Sequence, residues 1–213
     1  ELVLGRYRIL RRLARGGMGA VYLGRTEGAE GFARPVVIKR VLPGLSEDRE
    51  ITQLFVREAH ILSNLQHPNI VPVLDFGQEA NGGYVMVLEY VHGYALSDWH
   101  TYVCEARGAL PIQHAVHITC KDALHYAHTY QRADKVMPVI HRDVTPTNVL
   151  LNDQGIVKLV DFGVARMLGD DGDFSTKRAQ VRGKLPYLPA EAFRGVEPSV
   201  ASDVYSTGVM LYE

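Results

Sequence analysis

The hydrophobic pattern of this 213-residue chain changes near residue 90. Before that point, short runs rich in Val, Leu, Ile and Tyr predict β-strands at residues 7–13, 20–25, 35–41, 70–77 and 84–90. Residues 47–65 show helical periodicity instead. From Val91 onward the pattern is mainly helical, with helices predicted at residues 112–130 and near Ser202 and a strand pair at residues 149–151 and 156–160. The sequence therefore predicts an α+β chain.

The helix predicted at residues 47–65 carries a carboxylate in its apolar stripe. Ser46 is its predicted N-cap, because a serine oxygen can accept a hydrogen bond from the first turn. The apolar residues that share one face are Ile51, Leu54, Phe55, Leu62 and Leu65. Glu58 lies on that same face, and a buried carboxylate needs a cation or hydrogen-bond donors. A glutamate at the edge of the stripe, in water, is the alternative.

Composition narrows the class of protein. A net charge of −1 gives no reason to expect nucleic acid or a membrane surface as partner. Two cysteines are too few for a disulfide framework, which favours a reduced, cytoplasmic setting. No uncharged apolar run reaches the roughly 18 residues that a membrane span needs. Residues 209–213 continue a helical pattern without a stop signal, so we expect this chain to be a piece of a longer protein. A membrane-anchoring segment elsewhere in that protein is an open alternative.

The loop His141–Asn148 carries groups suited to phosphoryl transfer. It reads His-Arg-Asp-Val-Thr-Pro-Thr-Asn, and Asp143 can accept the proton of an attacking hydroxyl. Asp161, in an Asp-Phe-Gly segment, follows thirteen residues after Asn148. The two side chains can converge on magnesium, which neutralises charge on the transferred group. Asp-x-Gly alone is a common turn, but this order and spacing favour a metal-binding role.

Two features of the first ninety residues point to phosphate binding. Residues 14–21 are rich in glycine, so backbone N–H groups can approach phosphates closely, although a flexible hairpin is the alternative. Val37 and Lys39 are two residues apart on the third predicted strand, so their side chains lie on the same face, under this loop. Glu58 can hold the Lys39 ammonium group in place. The pair favours a phosphate-binding lysine over a solvated strand end.

In this order, the motifs resemble those of the eukaryotic-like (Hanks-type) bacterial serine/threonine protein kinases. The resemblance covers nearly the whole chain, including residues 67–71 after the first helix and residues 203–209, which resemble the start of the buried helix F. It implies a bilobal kinase fold, with an N-lobe of sheet and one helix in residues 1–90. A mainly helical, partial C-lobe follows in residues 91–213, without the helices after helix F. ATP and Mg²⁺, with Mn²⁺ as an alternative, are the implied cofactors.

The resemblance also implies residue roles. Lys39 holds the α- and β-phosphates, Glu58 holds Lys39, and Asp143 orients and deprotonates the substrate. Asn148 and Asp161 bind the metal. The residues expected around the nucleotide are Leu13, Gly16, Gly17, Gly19, Val21, Val37, Lys39, Glu89, Val91 and Leu150. The expected regulatory spine is Leu62, Val73, His141 and Phe162.

The chain departs from the family pattern at several places. Thr145 stands where a lysine normally stabilises γ-phosphate charge, and Lys184 stands where a threonine normally contacts the catalytic aspartate. We hypothesise that Lys184 reaches back toward Asp143 and restores the positive charge, with a coincidental loop lysine as the alternative. Ala14 replaces the first glycine of the phosphate loop, and residues 129–140 are longer than usual, which suggests a surface excursion.

Three interpretations of function remain. The leading one is a signal-transducing kinase that phosphorylates Ser or Thr of protein substrates, with a homodimer as one arrangement for autophosphorylation. Pro146 favours Ser/Thr over Tyr specificity in this family. Thr145 supports a pseudokinase, a nucleotide-binding scaffold with weak or no phosphotransfer. A small-molecule phosphotransferase of the same fold is the third interpretation, and residues 187–191, which resemble a peptide-docking segment, argue against it.

Histidine pairs occur on the helix predicted at residues 112–130. His114 and His117, and likewise His125 and His128, are three residues apart. Such spacing suits a metal site, but packing or surface positions are the commoner explanation. We therefore assign these histidines no chemical role from the sequence.

Overall fold

The computed structural model describes residues 1–16, 18–80, 82–107, 122–133, 135–163 and 185–212. The chain divides into two compact units. One contains residues 1–66 and 71–90, and the other contains residues 67–70 and 91–213. No helix among the described residues is long and apolar enough to cross a membrane.

The first unit is built on a six-stranded antiparallel sheet. Its strands are β1 (Leu2–Val3), β2 (Tyr7–Arg15), β3 (Gly19–Thr26), β4 (Pro35–Val41), β5 (Val73–Gln78) and β6 (Tyr84–Glu89), in the spatial order β1-β2-β3-β4-β6-β5. Strand β4 has the predicted bounds. The strand predicted at residues 70–77 begins later, at Val73. Ile70 instead forms an isolated parallel bridge with Leu159 in the second unit, which takes its backbone away from the sheet.

Alternation along β4 places its buried core side chains on one face of the sheet and Lys39 on the other. Val36 and Ile38 are fully buried in a cluster that includes residues of β1, β2 and β6. Burying each such aliphatic side chain contributes about 1.5–3 kcal/mol. Val37 and Lys39 alternate with them, are half-buried and therefore lie on the opposite face. One strand thus anchors the sheet on one face and presents a lysine on the other.

Helix α1 (Arg49–Asn64) begins after its cap residue, Asp48. The Asp48 carboxylate accepts hydrogen bonds from the backbone N–H of Glu50, at 2.9 Å, and of Ile51, at 3.3 Å. The prediction of Ser46 as the N-cap is wrong, because its hydroxyl donates to the carbonyl of Pro43, at 2.7 Å, in the preceding turn. A carboxylate at the cap also suits the positive end of the helix dipole.

The second unit combines a small sheet with helices. Its strands are β7 (Gly93–Ala95), β8 (Gln131–Arg132), β9 (Lys135–Val136), β10 (Val149–Asn152) and β11 (Val157–Leu159). The three-stranded sheet has the order β11-β10-β7, and a separate hairpin pairs β8 with β9. The helices are α2 (Leu96–Arg107), α3 (122–128) and α4 (Val200–Tyr212). The remainder of the helix predicted at residues 112–130 falls partly outside the described residues.

The sequence pattern does not predict β7. Its Gly93 is required by a close backbone approach, since a Cβ there would lie 2.0 Å from the carbonyl oxygen of Leu151. The strand is too short for a periodic signal, and only its pairing with β10 defines it. The stretch of residues 129–140, predicted as a surface excursion, contains the β8–β9 hairpin, whose four residues are all exposed.

Candidate active site

Lys39 and Glu58 form an ion pair inside the first unit. Lys39 lies on β4 between Val21 of β3 and Met86 of β6, and Glu58 lies on α1. The Nζ of Lys39 is 2.6 Å from the Oε1 of Glu58. The carboxylate side chain is 2 % exposed and the lysine 19 %. The carboxylate in the apolar stripe is therefore buried against a cation, and the lysine keeps some access to solvent.

The glycine-rich segment is the turn between β2 and β3. The N–H of Gly16 donates to the carbonyl of Gly19, at 2.8 Å, which closes the turn. A Cβ on Gly19 would lie 2.8 Å from the carbonyl oxygen of Arg40, so a side chain there would push the turn away from β4. Ala14, by contrast, does not have a positive φ, so its backbone does not require glycine. The loop keeps the glycine that packing requires.

The residues expected around the nucleotide fall in both units. The first unit contains those of β2, β3, β4 and β6 together with the glycine turn, namely Leu13, Gly16, Gly19, Val21, Val37, Lys39 and Glu89. The second unit contains Val91, which is buried, and Leu150 of β10, which is half-buried. Gly17 and Lys184 lie outside the described residues. The hypothesis that Lys184 returns to Asp143 therefore stays a prediction.

A buried carboxylate on α4 holds the loop His141–Asn148 by its backbone. The Oδ2 of Asp203 accepts the N–H of His141, at 2.7 Å, and its Oδ1 accepts the N–H of Arg142, at 2.8 Å. The Nε2 of His128 lies 2.7 Å from the same Oδ2. Asp203 is 1 % exposed. Three groups from two other segments therefore converge on one carboxylate.

The sequence pattern predicts no role in the site for Asp203 or His128. His128 is neither a simple packing residue nor a surface one, since its side chain is 8 % exposed and bound to Asp203. The signal that could have found Asp203 is the one that marked Glu58. Both are carboxylates in an otherwise apolar helical pattern, and such a group needs a partner once it is buried.

Two residues of the site have left-handed backbone. Arg142 has a φ of 69° and Asp161 a φ of 56°. Such a conformation costs a non-glycine residue about 1–3 kcal/mol and persists only where its surroundings impose it. At Arg142 the hydrogen bond from its own N–H and that from His141, both to Asp203, hold the backbone in this path. The strain is located in the two segments that carry Asp143 and Asp161.

His141 is a fully buried, neutral part of this arrangement. Its Nδ1 accepts the N–H of Asp143, at 3.3 Å, so the proton belongs on Nε2, which lies 3.0 Å from the carbonyl oxygen of Val160. Burial lowers the pKa of His141, and this outweighs the opposite effect of the nearby Asp203 and Asp143 carboxylates. Its ring contacts that of Phe162, with the centroids 4.4 Å apart.

The remaining spine residues lie in the first unit, where Leu62 is buried and Val73 half-buried. The expected stack of all four side chains stays a prediction.

Asn148 is oriented by the backbone of Asp143. Its Nδ2 donates to the Asp143 carbonyl, at 2.8 Å, so the amide oxygen is directed away from that carbonyl. The backbone of Asn148 also accepts the N–H of Val160, at 3.0 Å. The amide of Asn148 and the end of β11 are thereby tied to the same loop.

Asp161 is held beside this loop from both sides. Val160 before it bonds to Asn148, and the N–H of Gly163 after it donates to the carbonyl of His141, at 2.7 Å. A Cβ on Gly163 would lie 3.2 Å from that carbonyl oxygen, so this position favours glycine. Asp161 itself is exposed. A carboxylate and an amide oxygen are ligands that suit Mg²⁺, so the donor set fits that ion.

The segment of residues 67–70 ties into the same unit. The side-chain amide of Asn69 donates to the carbonyl of Val157, at 2.8 Å, and its backbone carbonyl accepts the N–H of Leu159, also at 2.8 Å. The ring of His67 lies 5.1 Å from that of Tyr126 on α3. Strand β11, which leads to Asp161, is therefore fixed by contacts on a second side.

Comparison with known proteins agrees with the motifs and the fold. A profile of the protein kinase domain matches residues 7–213. The tyrosine-protein kinase MasK of Myxococcus xanthus is 37 % identical over 212 residues, which is 98 % of this chain and 32 % of that protein. The serine/threonine-protein kinase PrkC of Bacillus subtilis is 36 % identical over 211 residues, 99 % of this chain and 30 % of that protein. The chain thus spans about a third of the length of these curated relatives, and it belongs to the protein kinase domain family.

Proposed function

We propose that this chain is the catalytic domain of an enzyme that transfers the γ-phosphate of ATP to Ser or Thr hydroxyls of protein substrates. Protein kinases use ATP and a divalent metal ion. The observation that carries the proposal is the loop in which the side-chain amide of Asn148 donates to the backbone carbonyl of Asp143, with Asp161 held alongside by the backbone hydrogen bonds of its two neighbours. These are the groups that phosphoryl transfer needs.

In this reaction the substrate hydroxyl oxygen bonds to the γ-phosphorus while the bond from that phosphorus to the bridging oxygen breaks and ADP leaves. The proton of the hydroxyl passes to the carboxylate of Asp143. Asp143 is largely buried, at 9 % exposure, on a loop whose backbone is fixed by Asp203. Its main contribution is to orient the hydroxyl and accept the proton, and such general-base help is worth about 10²–10⁴ in rate.

Lys39 contributes fixed positive charge for the α- and β-phosphates. Glu58 limits where the ammonium group can lie, since the Nζ of Lys39 is 2.6 Å from the Oε1 of Glu58. The backbone N–H groups of the glycine turn supply further donors. By the family resemblance, the residues proposed to contact adenine are Val21, Val37, Val91 and Leu150, and residues 89–91 are the proposed hinge segment.

Asn148 and Asp161 would hold the metal ion, which we propose to be Mg²⁺. When bound, it would neutralise negative charge on the transferred phosphoryl group. An oxygen-only donor set also accepts Mn²⁺, so we expect phosphate transfer with both ions, at different rates. Comparing the transfer rate with each ion tests this preference.

Charge at the γ-phosphate is the point at which the chain departs from its family. Thr145 is buried and carries no charge. We propose that Lys184 supplies the missing cation at Asp143. This part of the proposal depends on the sequence alone, because Lys184 lies outside the described residues.

Radiolabelled autophosphorylation of the full-length protein tests the proposed activity, with Asp143→Asn as the control. We expect label on the wild type and almost none on the variant, while both bind ATP. Intact ATP binding without transfer by the wild type would favour the scaffold alternative. An autophosphorylation rate that rises with protein concentration would support transfer between two copies of the protein. The proposed location is the cytoplasm, which is inferred from the low cysteine content.

Tyrosine is the second candidate acceptor, since one similar relative is named a tyrosine-protein kinase. Pro146, by the family resemblance, and the relatives named serine/threonine kinases favour Ser and Thr. Phosphoamino-acid analysis of the labelled protein separates the two. Phosphotyrosine as the main product would overturn the proposed specificity and leave the transfer reaction standing.

A further inference from the structure

We propose that Thr145 is a positioning residue, which acts through the hydroxyl of Thr147 to fix the short turn that carries Asn148. Asn148 is a proposed metal ligand, so this inference rests on the proposed function. The proposal gives a role to the one residue of the loop that departs most from the family pattern.

The two threonines are joined side chain to side chain. Their Oγ1 atoms are 2.9 Å apart, a normal hydrogen-bond length for two hydroxyls. Thr145 is 3 % exposed, whereas Thr147 is exposed. A buried hydroxyl without a partner is costly, while an exposed one can exchange with water. The bond therefore matters most to Thr145, and Thr147 is the partner that satisfies it.

The hydroxyl of Thr145 is not used as a helix cap. Thr145 has extended backbone, with φ −145° and ψ 157°, and precedes the 3₁₀ turn Pro146–Asn148. Its side chain makes no hydrogen bond to the N–H groups of that turn. The hydroxyl instead reaches the side chain of the middle residue. Its role is to hold the body of the turn rather than its beginning.

The backbone completes the connection to Asn148. The carbonyl of Thr145 accepts the N–H of Asn148, at 2.9 Å, and the side-chain amide of Asn148 donates to the carbonyl of Asp143, at 2.8 Å. Thr145 thus contacts both residues that follow Pro146. Loss of the hydroxyl bond would free Thr147 and let the turn move, and the amide oxygen of Asn148 would lose its fixed direction.

The test measures the Mg²⁺ concentration that half-saturates binding of a fluorescent ATP analogue to the full-length protein. Removing one neutral hydrogen bond typically changes an equilibrium by about three- to tenfold. We expect Thr145→Val and Thr147→Val each to raise the Mg²⁺ midpoint by that factor. The double variant should do no more than the larger single one, because both remove the same bond. Thr145→Ser, which keeps the hydroxyl, should restore the wild-type midpoint.

Thr52→Val is the matched control. It removes another half-buried hydroxyl bond, from Thr52 Oγ1 to the carbonyl of Ser46 at 3.2 Å, at the start of α1 in the first unit. It should lower the melting temperature slightly and leave the Mg²⁺ midpoint unchanged. Melting of each variant without nucleotide or metal reports on folding. The exposed Thr147→Val keeps the test decisive if Thr145→Val does not fold.

The outcomes separate this inference from the proposed function. Wild-type midpoints for either valine variant, or additive effects in the double variant, overturn the positioning role. Shifted midpoints in a protein that binds nucleotide but transfers no phosphate support the positioning role and overturn only the transfer reaction. A wild type without Mg²⁺-dependent nucleotide binding overturns both.

Discussion

The two units hold their proposed catalytic groups in different ways. In the first, one side chain holds another, since the ammonium of Lys39 contacts the carboxylate of Glu58. In the second, the carboxylate of Asp203 binds the backbone N–H groups of His141 and Arg142, some sixty residues away along the chain. A bond between side chains fixes one charged group. A bond to the backbone fixes the path of a loop and therefore every side chain on it.

This difference predicts different kinds of failure. Loss of the Lys39–Glu58 contact should impair nucleotide placement and leave most of the fold intact. Loss of Asp203 should impair stability and activity together, because the loop itself loses its support. Variants in each unit can break or sharpen that contrast.

The largest effect is expected for the proton acceptor of the loop. Asp143→Asn should lower the transfer rate by about a thousandfold, the middle of the range for general-base catalysis. Its affinity for ATP should change little, since the substitution removes a charge without changing the size of the side chain. A steady-state assay with separate kcat and KM values checks this, and a variant with wild-type kcat would remove Asp143 from the mechanism.

Asp203→Ala should lower the free energy of unfolding by about 3 kcal/mol, because the N–H groups of His141 and Arg142 and the ring of His128 lose the carboxylate that they contact. Denaturant titration measures the change. Asp153→Ala is the matched control, since that carboxylate is exposed and lies 3.6 Å from an exposed His92. Equal stability of the two variants would show that the backbone clamp contributes nothing measurable.

Glu58→Gln should affect function more than stability. The Lys39 side chain is 19 % exposed, so water can compensate part of the lost charge, and we expect a loss of only about 1 kcal/mol in unfolding free energy. The value of kcat/KM for ATP should fall by about tenfold as the ammonium loses its fixed position, a change of about 1.4 kcal/mol. Glu50→Gln, at an exposed position in the first turn of the same helix, should leave kcat/KM for ATP unchanged.

His141 should make the second unit sensitive to acid. Its pKa is lowered in the folded protein by burial, so below a pH of about 6.5 the unfolded chain takes up a proton that the folded chain does not. The resulting stability is present above that pH and is lost as the pH falls toward the lowered pKa, by up to about 1.4 kcal/mol per pH unit.

Unfolding free energies at pH 7.5 and 5.5 measure this dependence, and His141→Asn should reduce the difference between them. His125→Asn, at an exposed position of α3, is the control. An unchanged pH dependence in His141→Asn would contradict the assignment to this buried imidazole.

The last prediction concerns the hypothesis about charge at the γ-phosphate. Lys184→Ala should slow transfer by about tenfold if that ammonium assists at Asp143, a typical loss for one charge-assisted hydrogen bond. Lys184→Arg should retain most of the rate. A rate unaffected by the alanine substitution would leave Thr145 without a compensating cation.

Local pattern predicted much of the first unit. The bounds of β4 and the burial of Glu58 follow from periods of two and 3.6 residues, and Lys39 was expected as its cation. The cap of α1 was placed two residues early, at Ser46, because serine and aspartate are both good caps and only the path of the preceding turn distinguishes them. Roles in catalysis remain proposals for every residue of the site.

Non-local pairing explains the features that were missed. Strand β7 is three residues long and is defined by its partner β10. Ile70 reads as the start of a strand of the large sheet but pairs with Leu159. The local sequence around His128 indicates no role for it, because its partner Asp203 is 75 residues away along the chain. Each depends on a contact with a distant segment, for which a short window of sequence contains no signal.

The sequence by itself determined which chemical groups this protein has, namely a glycine turn, a lysine paired with a glutamate, and a loop that ends in Asn148. Only the tertiary structure decided how that loop is held. Buried polar groups must find partners, and packing determines which ones lie within reach. Here packing brings the carboxylate of Asp203 to the backbone N–H groups that precede Asp143 in the loop. It also brings the hydroxyl of Thr147 to that of Thr145.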